Sequence, residues 1–137
     1  MSYFALAVVP DGWTDEMPLT YSQAQYDAIR DSVVSGTHLI LFRGAPDNVI
    51  IGQAQTPGTF IKTSEWPKAN LGGIDPSNPN QAYLLPIEVV LLLKGPHGPK
   101  PLAQVHEALG ETTFPVAGEV WRAITDEQYD ALRDGWA

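Results

Sequence analysis

Apolar positions along this chain fall in short β-branched and leucine-rich runs, punctuated by glycine and proline. Tyr3–Val9 reads as a first strand, closed by the turn signal Pro10-Asp11-Gly12. Ser22 with Gln25 three residues on forms a capping box, and Tyr26, Ile29 and Val33 follow at helical spacing, so the pattern predicts an amphipathic helix over Ser22–Val34, ended by Gly36. His38–Phe60 then predicts a β-hairpin. Leu39-Ile40-Leu41-Phe42 is a continuous apolar run, Gly44-Ala45-Pro46-Asp47-Asn48 carries turn chemistry, and Val49-Ile50-Ile51 resumes the strand before Gly52 interrupts it. A glycine inside a strand marks a bulge or a close approach of backbone or ligand, so Gly52 points either to a concave surface or to a barrel corner.

Beyond the hairpin, Ser64–Asn80 is a loop rich in Pro, Gly, Asn and Ser, with Trp66 inside it. Gln81–Leu93 predicts a strand in which Pro86 suits an edge or a bulge. Pro101–Leu109 predicts a short helix and Thr113–Ala123 a last strand. A final helix starts at Thr125, capped with Gln128, and carries Tyr129, Leu132 and Trp136 on one face. The seven residues Gln25–Asp31 recur as Gln128–Asp134 with six identities, the same amphipathic solution used twice. This order predicts a single α+β domain over 1–137: a mixed sheet that curls into a small barrel, with two to three helices packed around it.

Composition supports one soluble globular domain, with 137 residues, 44% apolar and 18% charged. The absence of cysteine excludes disulfides, thiolate metal sites and a cysteine nucleophile. The opening residues lack the basic and small-residue signals of a leader and are too short to span a bilayer, so the expected setting is cytoplasmic, without a membrane. The net charge of −8 weighs against casual phosphate binding. Its distribution is uneven, however. Residues 1–35 and 107–137 are acidic, whereas 36–106 hold Arg43, Lys62, Lys68, Lys94 and Lys100 against four carboxylates, together with all three histidines. That pattern is compatible with a weakly basic face between acidic flanks, or with a solvated surface carrying no electrostatic message.

Nothing in the pattern calls for an enzyme, a metal or a cofactor. His38, His97 and His106 are scattered, and no nucleophile elbow or phosphate-cradling glycine loop occurs. Gly95-Pro96-His97-Gly98-Pro99-Lys100 reads first as a proline-stiffened turn, and His97 with Lys100 as a phosphodiester-cleaving pair is a third option.

The order of these segments resembles the EVE family of the PUA-like superfamily, which also holds the YTH and ASCH domains. The likeness lies in Tyr3-Phe4 leading to Pro10, in Gly36 before Leu39-Ile40-Leu41-Phe42, in Val49-Ile50-Ile51-Gly52, and in the tail Val120-Trp121-Arg122-Ala123-Ile124-Thr125-Asp126-Glu127-Gln128-Tyr129. Three departures accompany it. The family's Lys-Ser-Glu-Pro at the end of strand one is Ala7-Val8-Val9-Pro10 here. Its Trp-x-Gly-Val-Arg pocket wall has no counterpart between Thr20 and Gly36, and its Tyr-His-Ser after the first hairpin strand is Phe42-Arg43-Gly44.

The resemblance implies recognition of a modified base in DNA or RNA, stacked on aromatic faces and read at its edge, with cations meeting the phosphates. The expected faces are Trp13, Phe42, Trp66 and Tyr83, with Arg43 at the rim and Lys62, Lys68, Lys94 and Lys100 as phosphate contacts. Each has a structural alternative: Phe42 and Tyr83 as core, Trp13 and Trp66 as a hydrophobic lid, Arg43 paired with Asp47. The competing function is an acidic protein-interaction or structural module that keeps the barrel without base reading. Either module would act with a separate effector protein.

Overall fold

The computed structural model describes residues 3–65, 74–93 and 100–133. Its centre is a six-stranded mixed sheet built from β1 (Phe4–Val9), β3 (Thr37–Arg43), β4 (Val49–Thr56), β7 (Glu88–Leu92), β8 (Lys100–Pro101) and β9 (Trp121–Ile124). The spatial order is β7-β4-β3-β1-β9, with β8 on the same edge of β4 as β7. β1 and β3 run parallel, aligning Phe4 with His38 and Val9 with Arg43, and the remaining pairs are antiparallel. A second, three-stranded sheet holds β2 (Leu19–Tyr21), β5 (Ile61–Lys62) and β6 (Tyr83–Leu85) in the order β2-β6-β5. The helices are α1 (Gln23–Ile29), α2 (Leu102–Leu109) and α3 (Asp126–Arg133).

Burial on both faces explains why β1 and β3 read as continuous apolar runs. Ala5, Ala7, Val9, Leu39 and Leu41 face one core with Trp13, Tyr21, Ile29 and Trp121, beneath α1 and the small sheet. Leu6, Ile40 and Phe42 face the other, with Val105 and Leu109 of α2, Phe114, and Tyr129 and Leu132 of α3. The two-residue period of the strands assigns alternate residues to the two cores.

Gly52 stands where β4 is irregular: the register with β3 slips so that Leu41 faces Gly52 and Phe42 faces Ile50. The neighbour that comes close is β7, so this glycine accommodates another backbone rather than a ligand.

Three expected elements take other shapes. The predicted helix over 22–34 stops at Ile29 with Arg30 as its C-cap. The β-branched pair Val33-Val34 turns instead toward β3, where the Val34 carbonyl accepts from both Thr37 N (3.3 Å) and Thr37 Oγ1 (2.6 Å). The predicted strand over 81–93 divides at Pro86 into β6 and β7, which belong to different sheets; Pro86 still offers its carbonyl to Thr56 Oγ1 at 2.9 Å. The strand expected over 113–123 shortens to β9, because Pro115 and Gly118 (φ +80°) make a turn of residues 116–119. Phe114 is nonetheless fully buried and anchors that loop.

Both expected capping boxes form. Ser22 Oγ accepts from Gln25 N at 3.2 Å while Gln25 Oε1 accepts from Ser22 N at 2.9 Å, and Thr125 with Gln128 repeats the exchange at 3.1 and 2.9 Å. The repeated heptapeptide also repeats a contact. Arg30 lies 5.6 Å over the ring of Tyr26 and Arg133 lies 5.3 Å over that of Tyr129. Trp136 lies outside the described residues, and no described helix is long and apolar enough to cross a membrane.

Candidate nucleic-acid interface

A cleft of about 640 Å³ opens where β1 ends. Its floor is apolar, from Val8, Val9, Pro10 and Val120, and its walls are polar, from Asp11, Thr20, Gln25, Asn78, Asn80, Gln81 and Glu119. Val8 N donates to the Val120 carbonyl at 2.9 Å, which ties the turn before β9 to the end of β1. Opposite, the 3-10 turn Pro79–Gln81 is opened by Asn78 as N-cap. Thr63 fixes that turn, because Thr63 N donates to the Ala82 carbonyl at 3.1 Å and Thr63 Oγ1 donates to the Gln81 carbonyl.

Three carboxamides on these walls have their oxygens committed to backbone donors. Gln25 Oε1 accepts from Ser22 N at 2.9 Å, Asn78 Oδ1 from Asn80 N at 2.9 Å, and Gln81 Oε1 from Asp75 N at 2.7 Å. A backbone N–H can only donate, so the orientation of each amide is settled, and its NH2 group is what remains to offer. Those three NH2 groups have no partner among the described residues. Glu119, by contrast, is fully used: both carboxylate oxygens accept from Arg122 at 2.8 Å, and Oε1 also accepts from Val116 N at 3.0 Å. Arg122 is held further by Glu111 and lies 5.0 Å over the ring of Phe114. Asp11 forms no ion pair among the described residues and supplies an acceptor. The cleft therefore offers donors from fixed amides, an acceptor carboxylate and an apolar floor, which suits a flat polar ring carrying both acceptors and an amino group.

Next to the cleft, sharing Val9, Pro10 and Asp11 with it, is a smaller recess of about 210 Å³ between Trp13 and Arg43. Arg43 is exposed and pairs with neither Asp47 nor any other carboxylate among the described residues. Trp13 is only 5% exposed, and its Nε1 donates to the Met17 carbonyl at 3.0 Å. It seals the core more than it offers a face.

Among the described residues, the expected aromatic faces Trp13, Phe42 and Tyr83 do not converge. Phe42 is fully buried, 5.2 Å from Phe114 in the core on the other side of the sheet from Trp13, so it has no surface to present. Tyr83 stacks on Tyr26, with centroids 3.8 Å apart and planes 3° from parallel. Among the described residues no aromatic side chain lines the 640 Å³ cleft. The structure instead forms two pairs from the expected set: Trp13 with Arg43 at the recess, and Tyr83 with Lys62, its register partner across β5 and β6. Trp66, Lys68 and Lys94 lie outside the described residues, as does His97, and Lys100 is placed as the β8 residue opposite Ile50.

The cleft amides were not among the expected site residues. Gln25 carries a visible signal only as a capping residue, and Asn78-Pro79 signals a turn start, but about fifty residues separate them.

No protein-family model matches the chain, and no curated protein does either. Solved structures do. The N-terminal domain of McrB from Staphylothermus marinus aligns over 97% of this chain and 94% of its own with a TM-score of 0.62 and 16% identity. Human THYN1, solved in complex with 5-methylcytosine-containing DNA, aligns over 93% of both chains with a TM-score of 0.58 and 14% identity. Rpa0253 from Rhodopseudomonas palustris aligns over 96% and 90% with a TM-score of 0.59 and 11% identity. The fold is PUA-like. At these identities the PUA-like likeness extends to the path of the chain and not to its side chains, so the chemistry of the cleft stands on this protein's own residues.

Proposed function

We propose that this protein binds nucleic acid and takes a nucleobase, presented out of its stack, into the cleft at the end of β1. The observation that carries the reading is the set of three backbone-locked amides, Gln25, Asn78 and Gln81, which line the cleft together with Val8, Val9, Pro10 and Val120. Such donors select ring nitrogens and carbonyl oxygens, and Asp11 accepts from an exocyclic amino group. The PUA-like frame supports the same reading, since one structure that shares it was solved on methylated DNA. From the described residues, hold on the base comes from edge hydrogen bonds and the valine floor. A modified base is then distinguished by how an added methyl group packs against Val8, Val9 and Val120.

A second reading, an acidic interaction module without base recognition, is favoured by the burial of Phe42 and Trp13 and by the net charge of −8. Titration of intrinsic tryptophan fluorescence with short single-stranded oligonucleotides, plain and base-modified, at low ionic strength separates the two. Saturable quenching that weakens with salt is expected for the first reading. A flat titration with every oligonucleotide favours the second.

A further inference from the structure

The Tyr26–Tyr83 stack lies one step outside the cleft. Gln25 precedes Tyr26 on α1, and Gln81 closes the 3-10 turn two residues before Tyr83 opens β6, so each stacked ring follows a cleft amide closely along the chain. The two tyrosines are half-buried. The ring of Tyr26 is already enclosed, by Tyr83 on one face, by the edge of Phe60 at 5.0 Å and 82°, and by Arg30 at 5.6 Å. Among the described residues Tyr83 has no second ring and no hydrogen-bond partner, so within them the stack ends on Tyr83. Beside it on the same face of the small sheet is Lys62, exposed and without an ion pair among the described residues. Arg30, on the other side of the stack, has only Asp31 at 3.9 Å, both side chains largely in solvent.

We infer that the Tyr26–Tyr83 stack with Lys62 is the path of the strand next to the bound base: a neighbouring nucleotide stacks on Tyr83 and its phosphate meets the Lys62 ammonium. The inference rests on the proposed base-binding cleft, since it is the cleft that delivers a strand to this position. Its physical ground is the chain adjacency of Tyr26 to Gln25 and of Tyr83 to Gln81, with a half-buried aromatic ring beside a cation that has no ion pair among the described residues, the arrangement by which single strands are held without sequence preference. A base stacked on an aromatic ring and one phosphate contact together lengthen the footprint beyond one nucleotide.

The test compares a single nucleoside with a pentanucleotide that carries the same base at its centre and 2-aminopurine at its neighbour. With the unaltered protein, 2-aminopurine emission is expected to fall on binding. Lys62→Ala, an exposed position whose truncation leaves the core untouched, is expected to weaken pentanucleotide binding several-fold, to reduce the slope of log affinity against log salt by about 0.7, and to leave nucleoside binding unchanged. Tyr83→Leu is expected to abolish the 2-aminopurine quenching. Unchanged pentanucleotide affinity and salt slope in Lys62→Ala, with 2-aminopurine unquenched in the unaltered protein, overturn this path while central-base binding leaves the cleft reading in place. Failure of every oligonucleotide to bind removes both.

Discussion

A Cβ atom added to Gly52 would stand 2.3 Å from the carbonyl oxygen of Leu91 and 3.3 Å from the Cα of Leu92. Both are backbone atoms of β7, at the place where the β4–β7 register slips between Gln53 and Ala54, so neither can rotate away. Gly52→Ala must therefore push β7 off β4. The expected loss is about 1–3 kcal/mol, read as a lowered midpoint in urea with an unchanged m-value. Gly58→Ala is expected to act alike, since its φ of +82° and a 2.8 Å approach to the Val34 carbonyl leave no room for a side chain.

Gly52 also shows where the chain was readable. Local rules found the first strand, the hairpin and both capping boxes, because each is set by a few adjacent residues. They located the irregularity at Gly52 but not its partner, since β7 lies some forty residues further on. The same limit hid β2, three residues with no period to detect, and merged β6 with β7, because Pro86 does not announce that it separates two sheets. For the site, residue type points to aromatics, and of the described ones packing buries Phe42 and Trp13. Phe42 alternates into the α2–α3 core by strand parity, while the capping residues Gln25 and Asn78 come to line one cleft only once the backbone around them is placed.

Tyr21 is buried at 1% exposure and its hydroxyl has no partner among the described residues. Burial raises its pKa well above the ordinary phenol value, because the phenolate would be stripped of water. The folded state thus holds its proton where the unfolded chain has lost it. Stability is fully present below about pH 10 and declines as pH rises beyond it. Tyr21→Phe is expected to flatten that alkaline decline in pH-dependent thermal melts and, by removing an unsatisfied hydroxyl, to leave stability at pH 7 equal or higher.

Arg122 braces the cleft wall. It holds Glu119 through two hydrogen bonds and packs over Phe114, so the turn of residues 116–119 is fixed at both ends. Lysine keeps the charge but cannot span both oxygens. Arg122→Lys is expected to cost about 1 kcal/mol in stability and to raise proteolytic cutting after Val116–Glu119 loosens. The Glu111 carboxyl, held below its ordinary range first by its hydrogen bond from Thr113 and then by Arg122, adds a stabilising contribution present above the usual carboxylate pKa and lost as pH falls through the lowered one. Thr113→Val is expected to raise the Glu111 pKa measured by NMR titration.

Gln25 serves two masters, and one substitution separates them. Its Oε1 accepts from Ser22 N in the capping box, and the residue lines the cleft with its NH2 group uncommitted among the described residues. Gln25→Glu keeps an oxygen for Ser22 N and matches the preferred residue of the motif, so helix α1 and the thermal midpoint are expected to hold. The cleft, however, loses a donor and gains a carboxylate where an acceptor atom of the base would lie. Leaving that acceptor unpaired costs about 1–3 kcal/mol, so oligonucleotide affinity is expected to fall roughly ten- to hundredfold. Gln25→Ala provides the opposite control: it removes both functions, lowering the midpoint by about the 1 kcal/mol of a lost cap as well as the affinity. Equal affinity of Gln25→Glu and the unaltered protein in the same titration would remove Gln25 from the base-reading set.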